Sequence, residues 1–227
     1  MANHAKSFFS AQFRLKPEPF QAHILDKRFE IGREMYNKLL AASQRRYREM
    51  AKTREYRELM KQLKNCPTDE TQDIESKLDD IRAKYRISEQ GFLEDVEPMQ
   101  RHFSGNIDEL SARNIALRLW AAYEELLSGK VDNLQSASPE QFDYIEGEPG
   151  NGGIEFADGF LMWGDRIKVP VAINRNDAYE VEALQHEIAR CRIVRKITDG
   201  KSKYYLQIVF KGVSPRKTKK QAAAAIS

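Results

Sequence analysis

The sequence lacks the features that mark secreted, membrane-spanning or metal-binding proteins. Its 227 residues hold no apolar run near the roughly 18 residues that span a bilayer. The start shows no apolar segment with a small-residue cleavage site. Only two cysteines and four scattered histidines are present, without Cys-x-x-Cys or His-x-x-x-His spacing. We therefore predict a cytoplasmic protein with no membrane contact, no metal and no cofactor.

A phosphate-binding loop is also missing. Gly129-Lys130 and Gly200-Lys201-Ser202 resemble the end of such a loop, but the motif needs another glycine five positions before the last one. Glu124 and Arg195 stand at those positions. Ordinary turn chemistry explains both pairs, so we predict no nucleotide-binding loop.

Charge is distributed unevenly along the chain. The formal net charge is only +3, yet residues 1–65 carry 15 Lys and Arg against 7 Asp and Glu. Residues 188–227 carry 11 against 1, whereas residues 66–187 carry 11 against 26. Basic ends that meet on folding would attract a polyanion, and neutralisation of phosphates dominates most nucleic-acid binding. The alternative is that these are ordinary solvated faces.

The spacing of apolar residues predicts one strand followed by helices. Residues 8–15 alternate in part, which favours a strand, and Pro17 ends it. Apolar residues then recur every three or four positions as far as Ser128-Gly129. Asn65-Cys66-Pro67 and Ser88 break this helical region.

The rest of the chain predicts strands. The candidates are residues 154–156 and 160–163 around Ala157-Asp158-Gly159, residues 167–173 with Pro170 at a sheet edge, and residues 178–184. The clearest signal is a final hairpin, in which residues 190–197 and 203–210 flank Asp199-Gly200.

A lone strand at residues 8–15 would leave two unpaired edges, so we expect it to join the later strands. The predicted fold class is α+β, a small antiparallel β-barrel with an inserted α-helical domain. The predicted boundaries are residues 1–18 for the first barrel strand, 19–130 for the helical domain, 131–213 for the rest of the barrel, and 214–227 for a basic tail or linker.

Basic and aromatic residues are interleaved on the helices and on the strands. Arginine binds phosphate through a rigid fork, and tyrosine stacks on unpaired bases. The candidate nucleic-acid-binding residues are Arg14, Lys16, Arg45, Arg46, Tyr47, Arg48, Lys52, Arg54, Tyr56, Arg57, Arg190, Arg192, Arg195, Lys196, Lys201, Lys203 and Tyr204. Core packing is an equal alternative for Tyr47. The strand face of Cys191, Ile193 and Arg195 mixes apolar and basic residues, which leaves its register open.

These segments resemble the front part of TnpB-like proteins, which are transposon-encoded, RNA-guided DNA nucleases related to the small type V CRISPR effectors. The hairpin over residues 188–212 is similar to the segment that precedes the nuclease domain of that family. Residues 154–170 resemble its strand–turn–strand element. Met35-Tyr36-Asn37-Lys38-Leu39-Leu40 and Leu119-Trp120-Ala121-Ala122-Tyr123 are similar to its first and last helix patterns.

The resemblance implies an OB-like wedge domain for the barrel and a recognition domain for the helices. Together they would hold a guide RNA scaffold, a guide–target heteroduplex and a short flanking DNA motif. The family continues into a RuvC-like nuclease with an acidic metal site, whereas Asp199 is the one acid in residues 188–227. We expect no catalytic residue and no cleavage by this chain alone. The expected partners are guide RNA, target DNA, and a separate nuclease half or a second copy.

Two other functions stay open. One is a stand-alone barrel that binds RNA or single-stranded nucleic acid and carries a helical dimerisation arm. The other is a structural interaction protein whose basic ends meet an acidic partner. Salt-dependent binding to one structured RNA favours the RNA-guided lobe, equal binding to any single strand favours the barrel, and no nucleic-acid binding favours the interaction protein.

Overall fold

A computed structural model of the chain describes residues 7–65, 71–148 and 152–215. The elements in chain order are β1 (Phe8–Leu15), α1 (Pro19–Lys52), α2 (Arg54–Asn65), α3 (Gln72–Lys84), α4 (Glu89–His102), α5 (Glu109–Leu127), β2 (Tyr144–Gly147), β3 (Ile154–Ala157), β4 (Phe160–Trp163), β5 (Ile167–Ala172), α6 (Ala178–Ala183), β6 (Ile188–Thr198) and β7 (Lys201–Lys211).

These residues form two compact units. The first, which we call the barrel unit, contains the described residues up to Phe29 and from Glu140 onward. The second, which we call the helical unit, contains Glu30–Pro139. Helix α1 therefore contributes its beginning to the barrel unit and the remainder to the helical unit.

The described part of the barrel unit is a curled, antiparallel, seven-stranded half-barrel with strand order β2-β6-β7-β1-β5-β4-β3. Strand β1 is a central strand of this sheet, between β7 and β5. Its Ala11 pairs with Ile208 of β7, and its Leu15 pairs with Val171 of β5. The expectation that the N-terminal strand joins the later strands is confirmed, and so is the mixed α+β class. A strand from the beginning of the chain thus bridges strands from its second half.

Both predicted hairpin turns are present, and their backbone angles explain their sequences. Asp158 and Gly159 have φ values of 52° and 81°, and Asp199 and Gly200 have values of 51° and 69°. A two-residue turn with positive φ at both positions matches the twist of the strands it joins, and it strongly favours Asp-Gly.

Two strand predictions are wrong. Pro170 does not mark an edge, because β5 lies between β1 and β4. Its carbonyl accepts from the Lys16 N–H at 3.1 Å, where the β1 ladder ends, so the missing proline donor costs only the last bond there. Residues 178–184 form helix α6, because the Asp177 carboxylate accepts from the Tyr179 N–H at 2.9 Å and caps a helix that alternation alone did not indicate.

The curl of the sheet brings its two edge strands close together at Gly147 of β2. A Cβ at this position would lie 2.9 Å from Ile154 Cγ1 and 3.0 Å from the Ile154 backbone nitrogen on β3. The wall of the barrel therefore has room there for glycine alone. Cys191 of β6 is buried on the inside, and this burial raises the pKa of its thiol to about 12.

We expect Gly147→Val to lower the free energy of unfolding by about 1–3 kcal/mol, because the new side chain would overlap a backbone atom and not only a flexible side chain. Urea unfolding measures the change. Gly105→Val is the matched control, since nothing lies within 4 Å of a Cβ at Gly105. An unfolding midpoint equal to that of the unaltered protein would contradict the close approach of β2 and β3.

The helical unit is organised around aromatic side chains. The ring centroid of Phe92 lies 5.2 Å from that of Tyr123. Ser88 caps α4 by accepting from the Gly91 N–H at 3.2 Å, which accounts for the predicted break at this residue. The long first helical stretch breaks at Thr53, whose hydroxyl donates to the Met50 carbonyl at 2.7 Å. No helix among the described residues is long and apolar enough to cross a membrane.

Candidate nucleic-acid interface

Alternation along the last two strands decides which basic residues point outwards. In β7, Tyr204 and Leu206 are buried, so Lys203 and Tyr205 lie on the outer side of the sheet. On β6 the same alternation buries Cys191, Ile193 and Arg195. The face whose register the sequence left open is therefore the inner face.

Pairing across the strands gathers three cations around one tyrosine. Arg14 of β1 faces Tyr205 of β7, and Lys196 of β6 faces Lys203 of β7. The Lys196 ammonium lies 5.0 Å from the centroid of the Tyr205 ring. We call Arg14, Lys196, Lys203 and Tyr205 the outer basic face.

The outer basic face carries charge that the described residues leave uncompensated. Like charges directly opposite each other on neighbouring strands repel and destabilise the sheet. Lys196 and Lys203 are such a pair, and neither makes an ion pair with a carboxylate within residues 7–65, 71–148 and 152–215. An anionic ligand would relieve this repulsion.

The remaining predicted residues near this face are placed differently. Arg190 and Arg192 both form ion pairs with Glu146 of β2, the first at 3.6 Å. The Arg192 guanidinium also lies 4.9 Å from the ring centroid of Tyr144. Lys16, just after β1, and Lys201, just after the Asp199-Gly200 turn, are exposed.

Two predicted residues lie inside the barrel unit. The Arg195 guanidinium carbon is 4.6 Å from the ring centroid of Phe29, and its Nη1 is 3.6 Å from Asp26 Oδ1. The Tyr204 hydroxyl donates to the same carboxylate, and the Ser202 hydroxyl donates to it at 2.8 Å. Burial, followed by the hydrogen bond to Asp26, raises the pKa of Tyr204. These side chains hold the start of α1 against the final hairpin.

In the helical unit, exposed basic residues follow one face of α1. Arg45, Arg48 and Lys52 are spaced by three and four residues and are all exposed. The helical rise places the first and last of them about 10 Å apart along the axis. We call these three residues the α1 basic stripe.

Helix α2 repeats this spacing. Arg54, Arg57, Lys61 and Lys64 are exposed and recur every three or four residues. Arg54 pairs with Glu58 at 2.7 Å, and the Arg57 guanidinium donates to the Thr53 carbonyl at 3.3 Å. Lys61 and Lys64 were not among the predicted site residues, although they continue the spacing that Arg54 and Arg57 begin.

Three other predicted residues of this region have structural contacts. Arg46 forms an ion pair with Asp95, whose carboxylate also accepts from Arg86 at 2.8 Å. Tyr56 is buried. The Tyr47 ring centroid lies 6.3 Å from that of Tyr123, and burial raises the pKa of Tyr47 to about 12. The core-packing alternative for Tyr47 agrees with these contacts.

The segment that carries Arg14 and the α1 basic stripe also resembles known proteins. Residues 9–52 match a family model. It describes the helix-turn-helix domain of IS605 OrfB proteins, and the match relates the N-terminal part of this chain to TnpB and IS605 transposase-related proteins, which indicates nucleic-acid binding. A comparison with curated proteins finds no match.

The matched residues do not have the helix-turn-helix geometry that the family description names. That motif joins two helices by a short turn and inserts the second into the major groove. Residues 9–52 instead form strand β1 and the single helix α1. Of the candidate residues in this segment, Arg14 is therefore presented by one strand, and Arg45, Arg48 and Lys52 by one face of one helix. No three His, Cys, Asp or Glu side chains of the described residues are grouped as a metal ion would require.

Proposed function

We propose that this chain is the nucleic-acid-binding lobe of an RNA-guided, DNA-targeting protein. Its ligands are a guide RNA scaffold, the guide–target heteroduplex and a short flanking DNA motif. In this proposal the half-barrel is an OB-like wedge domain, and the helical unit is an inserted recognition domain. The match of residues 9–52 to the IS605 OrfB family supports it.

The observation that carries the proposal is the set of outward cations within the matched segment. Arg14 on the barrel unit and Arg45, Arg48 and Lys52 on the helical unit are all exposed. Exposed guanidinium and ammonium groups on each unit bind phosphates without reading bases, which suits a protein that recognises a heteroduplex by shape and charge.

The proposal includes partners but no chemistry by this chain alone. We assign no catalytic residue and no cofactor to it. DNA cleavage would need a separate nuclease half or a second copy as partner, and the complex would act in the cytoplasm.

A stand-alone barrel that binds RNA or single-stranded nucleic acid and has a helical dimerisation arm is the second candidate. The observation that favours it is Tyr205, an aromatic side chain among cations on the outside of a sheet. Such surfaces bind single strands with little preference for sequence.

Sequencing of the RNA that co-purifies with the full chain tests the first candidate against the second. We expect one defined, structured species. Its affinity should fall roughly a thousandfold between about 50 and 200 mM salt, the loss expected when about six phosphates are contacted. A mixture of unrelated RNAs, with equal affinity for any single strand, would support the second candidate. Absence of nucleic-acid binding would refute both.

A further inference from the structure

The centre of the outer basic face is an aromatic ring to which the first proposed function, the binding of a guide RNA and a heteroduplex, assigns no role. Tyr205 is partly exposed, and Val194 and Arg14 face it from the two neighbouring strands. Lys203 lies two positions away on the same strand, which corresponds to about 7 Å. Arg14, Lys196 and Lys203 therefore lie near the Tyr205 ring, close enough to contact the phosphates on either side of a nucleotide bound at the ring.

The position of this ring is fixed from the inside of the barrel unit. The adjacent Tyr204 points inwards, where its hydroxyl donates to Asp26 and lies 3.3 Å from the Ala22 carbonyl oxygen. Because side chains alternate along a strand, holding Tyr204 inside holds Tyr205 outside. The strand that carries the Tyr205 ring is thus held in place before a ligand binds, which lowers the cost of binding.

The Lys196 ammonium lies over the Tyr205 ring at 5.0 Å. At a solvent-exposed site such a contact is weak, so a nucleobase of larger contact area displaces it readily. The displaced ammonium is then free to pair with a phosphate. One exchange therefore supplies both a stacking surface and a counter-charge.

We propose that Tyr205 is a stacking site for one unpaired base of the bound nucleic acid, with Lys196, Lys203 and Arg14 as the cations for the adjoining phosphates. This site rests on the proposed function, because it holds a nucleotide of a strand that the chain already binds. It takes an unpaired nucleotide and does not take a base inside a duplex, whose faces are already stacked.

The test uses the full chain and two fluorescent probes of equal length, a single-stranded oligouridine with one 2-aminopurine and a fully paired RNA duplex. We expect Tyr205→Ala to weaken single-strand binding roughly tenfold and to abolish the quenching of 2-aminopurine. Its duplex affinity should equal that of the unaltered protein. Tyr205→Phe should retain both properties, because it keeps the ring. Gln207→Ala, two positions along the same outer face, is the matched control and should leave both affinities unchanged.

The ratio of single-strand to duplex affinity, taken on each variant, separates loss of the stacking site from loss of the fold. An unchanged ratio in Tyr205→Ala would overturn the stacking site, and so would a Tyr205→Phe variant as weak as Tyr205→Ala. If the unaltered protein binds the duplex but not the single strand, the stacking site is refuted and the proposed function stands. If it binds neither probe, the stacking site is refuted, and the proposed function is refuted as well only if no RNA co-purifies with the full chain.

Discussion

Replacing Arg45, Arg48 and Lys52 together by glutamate should lower the affinity for nucleic acid about a hundredfold or more, because each hydrogen bond to a charged group contributes about 1.5–3 kcal/mol and several are lost at once. The slope of the logarithm of the binding constant against the logarithm of the salt concentration should also become shallower. The loss of three phosphate contacts changes this slope by roughly 0.9 for each contact. Fluorescence anisotropy with the co-purifying RNA over a range of salt concentrations measures both effects.

The fold should survive this replacement, since all three side chains are exposed on α1. Arg46 is left in place, because its ion pair with Asp95 joins α1 to α4 and its reversal would damage the helical unit itself. A loss of affinity that accompanied a loss of helical circular dichroism would therefore not count as support.

Lys84, Arg101 and Arg113 provide the matched control. They are exposed on α3, α4 and α5, and their replacement by glutamate changes the net charge by the same amount. If this control weakened binding as much as the α1 replacement, the effect would come from net charge and the α1 basic stripe would lose its assigned role.

The parts of the fold that the sequence predicted are those with strong local causes. Asp158-Gly159 and Asp199-Gly200 occupy turns that need positive φ, so their residue types alone indicate them. Strand β1 was placed with the later strands by the general cost of unpaired edges. The break at Thr53 has no such signal, since threonine is tolerated within helices and the helical spacing continues on both sides.

The sequence predicts Tyr204 as a site residue, whereas the structure places Tyr204 on the inner face and Tyr205 on the outer face. Both are aromatic residues next to lysines, and charge alone does not distinguish them. Alternation along the strand does distinguish them. Leu206, Ile208 and Phe210 lie two, four and six positions after Tyr204, so these buried apolar residues share the inner face with Tyr204.

Arg195 is different, because its strand face and its charge give opposite indications: it alternates with the buried Cys191 and Ile193, but a guanidinium favours solvent. A guanidinium is rarely buried without a partner, and Arg195 forms an ion pair with Asp26, which is far away in the sequence. The sequence of β6 alone therefore leaves the direction of the Arg195 side chain open. The partner is visible only once α1 lies against the hairpin.

Arg195 and Lys196 should thus respond in opposite ways to replacement by alanine, although they are neighbours in the sequence. We expect Arg195→Ala to lower the free energy of unfolding by about 3 kcal/mol, the lower end for breaking a buried ion pair, because Asp26 keeps partial access to water. Removal of the guanidinium also takes away the contact with the Phe29 ring and leaves a cavity. The folded fraction should still bind nucleic acid with the affinity of the unaltered protein.

Lys196→Ala should show the reverse. Its free energy of unfolding should stay within about 0.5 kcal/mol of the unaltered value, because Lys196 is exposed and faces another lysine. Its affinity should fall several-fold, with the salt slope reduced by about 0.9 for one lost phosphate contact. Urea unfolding and anisotropy on the same preparations measure both quantities. If Arg195→Ala were as stable as the unaltered protein and bound nucleic acid more weakly, Arg195 would be a ligand contact, and the inward register of β6 would have to be abandoned.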